Sequence, residues 1–95
     1  MIKSILKNLG TRQAQVFTEL LCFPQGVTAS ELSNYMHSIG FFRSSERNNV
    51  HPRLKEMMEL GIVQVIGKRQ CSITNKTVYV YRATDDVMRT IREVM

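Results

Sequence analysis

The sequence predicts a single α+β domain, mainly helical, with a small antiparallel β-wing and an extra helix at each end. Three observations carry that expectation. The run Arg47-Asn48-Asn49-Val50-His51-Pro52-Arg53-Leu54-Lys55-Glu56-Met57-Met58-Glu59-Leu60 reads as an amphipathic helix with a basic front, stopped by Gly61 and followed at once by β-rich Ile62-Val63. A second β-rich run, Lys76 to Arg82, can fold back as the partner strand. Ahead of both, apolar residues recur at helical spacing between glycine and proline breaks. With 95 residues there is room for one domain, spanning 1–95, with a core over about 11–84 and flanking helices over 1–10 and 85–95.

Taken in order, Ile2, Ile5, Leu6 and Leu9 predict a short helix ending at Gly10. Thr11 can cap the next helix, which is expected to reach Cys22 or Phe23 and to bury Ala14, Val16, Phe17, Leu20 and Leu21. Pro24-Gln25-Gly26 breaks the chain, and Val27 can bridge to the sheet. Thr28-Ala29-Ser30-Glu31 has the residue pattern of a capping box, opening a helix through Leu32, Tyr35 and Met36 that Gly40 ends. Phe41 to Ser45 turns into the next helix, expected over about 45–60, with Val50, Leu54, Met57 and Gly61 on its inner face. Pro52 argues for a kink within that helix or for a start nearer His51. The wing is expected over about 66–78, with Gly67 to Lys76 as its connection and Asn75 in a left-handed turn position. Thr84-Asp85-Asp86 opens the last helix, its acids at the positive end.

The net charge is +5, and residues 43–82 hold eight of the 13 cations against three of the eight acids. The flanks cancel, so the excess lies on the basic helix and the wing, which points to an anionic partner. No run of about 18 apolar residues is present, so no membrane partner is expected, and a cytoplasmic location is. Cys22, in an apolar stretch, reads as a small buried hydrophobe, and neither cysteine nor histidine spacing suggests a metal. No cofactor motif, nucleophile elbow or paired-acid arrangement occurs, so enzyme activity is not expected.

The stretch Arg47 to Met57 with Gly61-Ile62-Val63, and Thr74-Asn75-Lys76 ahead of Val78-Tyr79-Val80-Tyr81-Arg82, resembles the winged helix-turn-helix domains of the MarR type found in phage and bacteria. The resemblance covers roughly residues 11–84; Asn75 stands where the family's wing turn carries glycine, and the link over 37–45 is longer than its usual turn. It implies a helix over 45–60 in the major groove and a wing on the backbone of double-stranded DNA. On that reading Asn48 and Asn49 could contact adenine, and His51 and Arg53 could read guanine or hold phosphate. Arg43, Arg47 and Lys55, with Lys68, Arg69 and Lys76 in the wing, become backbone contacts. Ser44 and Ser45, and Thr28 and Ser30 on the preceding helix, offer hydroxyls and N–H groups to phosphate. Other readings stand beside these: Asn48 and Asn49 as turn caps, Arg53 in an ion pair with Glu56 or Glu59, and Tyr79 and Tyr81 as cover for the core.

The expected function is sequence-specific duplex-DNA binding by a small phage or prophage transcriptional regulator. A replication or recombination accessory role, or a protein–protein adaptor, are the alternatives. The terminal helices offer a homodimer seam; the other reading packs them on their own domain.

Overall fold

Among residues 10–94, which the computed structural model describes, the chain forms four α-helices and a two-stranded antiparallel sheet. The order is α1 (Thr11–Leu20), α2 (Ala29–Ser38), a 3-10 turn (Arg47–Asn49), α3 (His51–Glu59), β1 (Val63–Gln70), β2 (Thr77–Ala83) and α4 (Asp85–Val94). The helix expected over 2–9 lies outside the described residues. No helix among those described is long and apolar enough to cross a membrane.

Gly10, not Thr11, precedes the first helical residue, and the Gln13 side chain accepts the Gly10 N–H at 3.0 Å. Helix α1 buries Val16, Phe17 and Leu20 and ends there, earlier than its apolar pattern suggests. Phe23 precedes Pro24 and is steered out of helical geometry. Cys22 consequently lies exposed in the turn, contrary to its expected burial. Phe23 instead meets the Tyr35 ring edge-on at 5.3 Å.

The capping box of α2 forms as expected: Thr28 Oγ1 accepts the Glu31 N–H, and Glu31 accepts the Thr28 N–H, both at 3.2 Å. Helices α2 and α3 stop by the same device. Gly40 (φ +93°) donates to the His37 carbonyl and Phe41 to that of Met36. Gly61 (φ +80°) donates to Met58 and Ile62 to Met57. These are Schellman closures, whose left-handed residue suits glycine because a side chain there would meet the backbone.

The long link between α2 and α3 is tied down along its length. The Phe42 carbonyl lies 2.9 Å from His37 Nδ1, and the Phe42 ring lies under the Arg12 guanidinium at 4.7 Å. The Ser33 hydroxyl donates to the Glu46 carbonyl. Phe41 remains exposed. The helix expected over 45–60 is then corrected: α3 begins at His51, and Arg47–Asn49 form a separate 3-10 turn. Pro52 explains the division. It sits in the first turn of α3, where its missing N–H has no partner to lose and its fixed φ suits the helix.

Val50, Leu54 and Met57 point inward as their spacing predicted, joining Phe17, Leu20, Leu32 and Met36 in the core. Burying a side chain of this size contributes about 1.5–3 kcal/mol, so this one stripe fixes α3 against the rest of the domain. The β-hairpin is longer than expected. Strand β1 continues past Gly67 through Lys68 and Arg69, which pair with Tyr79 and Val78, and a register shift after Val65 absorbs Ile66. The turn is therefore Cys71 to Lys76, with Asn75 at φ 59° and the Cys71 N–H donating to the Lys76 carbonyl at 2.8 Å.

Val27 and Tyr81 exchange two backbone hydrogen bonds, 2.9 and 2.8 Å, forming the anticipated bridge. Tyr81 is buried in the core while Tyr79, on the same strand face nearer the tip, is 50% exposed. In α4, Asp85 pairs with Arg82 at 3.3 Å, and Val87 packs into the domain's own core.

Candidate nucleic-acid interface

An open groove of about 620 Å³ runs between the start of α2, the 3-10 turn with the start of α3, and the hairpin. Six residues expected to meet DNA line it: Ser30, Ser45, Arg47, Asn48, His51 and Lys76. They come from three separate stretches of chain, and the core stripe of α3 together with the Val27–Tyr81 bridge brings them together. The wall formed by the hairpin is partly apolar, with Ile73, Val78 and Tyr79. A groove of this make-up, with cationic and hydroxyl groups on both sides and an apolar strip along the hairpin, can hold a chain that alternates charged and apolar units.

Three more expected contacts are exposed outside the groove. Arg43 lies on the link, and Lys55 lies one turn along α3 from His51. Lys68 lies on β1 with its ammonium 5.0 Å from the centre of the Tyr79 ring. Among the described residues, Arg43, Arg47, Lys55, Lys68 and Lys76 form no ion pair, whereas Arg53, Arg69 and Arg82 do.

The remaining five expected contacts are engaged within the protein, and full burial removes Thr28 from the expected set. Thr28 is fully buried, its hydroxyl accepting the Glu31 N–H and lying 3.2 Å from the Cys71 sulfur, so it cannot meet an external phosphate. Asn49 Nδ2 donates to the Ser44 carbonyl at 3.0 Å and to its hydroxyl at 3.3 Å. Asn49 and Ser44 thus close the link ahead of α3, the turn-capping alternative. Arg53 pairs with Glu56 at 2.8 Å, and Glu56 also accepts from Gln13 Nε2 at 2.8 Å. Arg69 forms a two-pronged pair with Glu31.

Glu31 is the residue whose full role sequence reasoning missed. Besides Arg69 and the Thr28 N–H, it accepts the Ser72 N–H at 3.0 Å and the Ser72 hydroxyl at 2.8 Å. The Arg69 guanidinium, with these N–H and O–H donors, holds the Glu31 carboxyl far below the usual carboxylate range despite partial burial. Glu31 therefore fastens the hairpin tip to the start of α2. Its capping-box spacing was visible in the sequence, but no local signal ties it to residues about forty positions away.

His51 is shifted in the same direction, with the opposite consequence for its charge. Partial burial, then repulsion from Arg47 and Lys55, lower its pKa and favour the neutral ring. Burial pushes the Tyr81 hydroxyl up. Among the described residues no cluster of three or more His, Cys, Asp or Glu could hold a metal ion.

Comparisons with protein-family models, with curated proteins and with solved structures give no match. The residues and their geometry are therefore what a functional reading rests on.

Proposed function

We propose that the chain is a sequence-specific duplex-DNA-binding protein of the winged helix-turn-helix type, acting as a small transcriptional regulator of phage or prophage kind. The observation that carries this reading is the groove: the start of α3 and the hairpin border one space, and Arg47, His51 and Lys76 line it. On this reading α3 enters the major groove by its first turns, and the hairpin lies along the neighbouring backbone as the wing. Asn48 is the base-edge candidate; Arg43, Arg47, Lys55, Lys68 and Lys76 hold phosphates, helped by Ser30 and Ser45, and His51 lies where it can reach either. Binding alone is the mechanism: occupancy of a site blocks or recruits other proteins, with no bond made or broken. The proposed setting is the cytoplasm. A homodimer seam on the terminal helices belongs to the same proposal, and since Val87 faces its own core, the seam falls to other faces of α4.

The five cations of 43–82 that form no ion pair among the described residues set the test. Neutralising about three or four phosphates gives a log–log dependence of affinity on salt with a slope of about −3 to −4. Titration of a labelled duplex at several salt concentrations reads it. No binding at low salt, or binding indifferent to salt, overturns the proposal. Selection of bound sites from random duplexes then tests sequence preference and half-site symmetry together.

A further inference from the structure

We infer that His51 is a proton-linked ligand of the DNA backbone: the groove takes up a proton from solvent as it takes a phosphodiester, so affinity for duplex rises as pH falls. The inference rests on the DNA-binding reading above and adds a regulation to the same site.

His51 opens α3, is half-buried, and lines the groove beside Arg47 and Lys76. Each bordering element contributes groups to its surroundings. The turn supplies Arg47, preceded by Glu46, and α3 supplies Lys55. The hairpin supplies Lys76, Tyr79 and Tyr81, and the start of α2 supplies only uncharged Ala29 and Ser30. In the free protein the field is predominantly positive, and it acts with partial burial to disfavour the imidazolium. Among the described residues Glu46 is the one acid lining the groove.

A phosphodiester brings a negative charge into this space, and its oxygens accept from whichever ring nitrogen carries a proton. The apolar wall of Ile73, Val78 and Tyr79 suits the deoxyribose that a backbone carries and a free anion lacks. With phosphate present, the interaction that disfavours the imidazolium is offset and the bound complex holds its proton to higher pH than the free protein. The sign follows: affinity gains as pH falls through the bound-state pKa, and levels off below the free-state pKa.

Fluorescence anisotropy of a labelled random-sequence duplex, at fixed ionic strength from about pH 7.5 to 5.5, tests this. Affinity is expected to rise, approaching about tenfold per pH unit at its steepest for uptake of one proton. The chain has two histidines, so the assignment is clean. His37→Gln, at a position that does not line the groove and has Nδ1 beside the Phe42 carbonyl, keeps the slope. His51→Gln loses it. His51→Lys, charged at every pH tested, also loses it and carries the test if His51→Gln fails to fold by circular dichroism. Duplex binding with a flat wild-type profile overturns the inference alone, as does a slope that survives in either His51 variant. Absence of duplex binding at every pH in low salt overturns the DNA reading itself, and this inference with it.

Discussion

Replacing Glu31 by glutamine removes the charge from the fastening between the hairpin tip and α2 while keeping its shape. Five hydrogen bonds converge on that carboxylate, two from Arg69, two from Ser72 and one from the Thr28 N–H. The Arg69 side chain is 44% exposed, so its share is screened and worth no more than about 1 kcal/mol. The three uncharged donors contribute about 0.5–1.5 kcal/mol each, and Glu31, only 14% exposed, cannot replace them readily with water. The glutamine keeps one acceptor oxygen but turns an NH2 group toward donors. A net loss of about 2 kcal/mol is expected, a fall in Tm of roughly 10 °C for a domain this size. Arg69→Ala leaves Ser72 and Thr28 in place and costs about half as much or less. Thermal melts of the three proteins at neutral pH test the ranking. Amide exchange at Ser72 and Cys71, faster in Glu31→Gln, locates the effect at the tip.

The pH dependence gives a second reading of the same contact. The folded-state pKa of Glu31 is depressed, so its contribution is complete above the unfolded value of 4.5 and is lost as pH falls toward the folded one. The gap in Tm between wild type and Glu31→Gln therefore narrows on acidification below about pH 4.5. If Arg69→Ala destabilises as much as Glu31→Gln, or the gap is indifferent to acid, Glu31 is a surface ion-pair partner and no fastening.

Other substitutions separate the remaining roles. Asn49→Ala leaves the Ser44 carbonyl without its donor and should lower stability by about 1 kcal/mol; if Asn49 has no base-reading role, selected sites keep their base preference at every position and any loss of affinity is shared by all duplexes. Gly26→Ala would place a Cβ 2.6 Å from Val80 Cγ1 and 2.9 Å from Ile66 Cδ1 at φ +101°, so a cost of about 1–3 kcal/mol is expected in denaturant melts. Gly40→Ala, also at positive φ but with open space around it, should cost only about 1 kcal/mol, and an equal loss at both positions would discount the contact with the sheet. Lys68→Ala should weaken all duplexes alike and lower the salt slope by about one, which site selection and salt titration read together.

Much of the fold was legible because its signals are local. The Thr28–Glu31 box, the glycine stops at 40 and 61, the left-handed Asn75 and the Val50–Leu54–Met57 stripe each involve residues a few positions apart. The misreadings share a different origin. Ahead of Pro52 the stretch from Ser45 holds a single apolar residue, Val50, so periodicity leaves the helix start open, and Pro52 in the first turn marks the start at His51. Arg69 looked free because Glu31 lies 38 positions away, and Asn49 looked outward-facing because the course of the link was not known. A count of charges along the chain therefore overstates how many cations are unpaired. Three of the eight cations in 43–82 already have acidic partners, Arg53, Arg69 and Arg82.

The two attachments of the hairpin make it a beam held at both ends. Its root is fixed at Tyr81 by the backbone exchange with Val27, and its far end is moored at Ser72 by Glu31. Between the moorings, Ile73, Thr74 and Lys76 face the groove without carrying the attachment. Chemistry at those three positions can therefore change while the beam keeps its angle. In a lineage of such proteins, what the tip touches could diversify quickly at little cost in stability, while Glu31, Ser72 and Val27 hold the geometry constant.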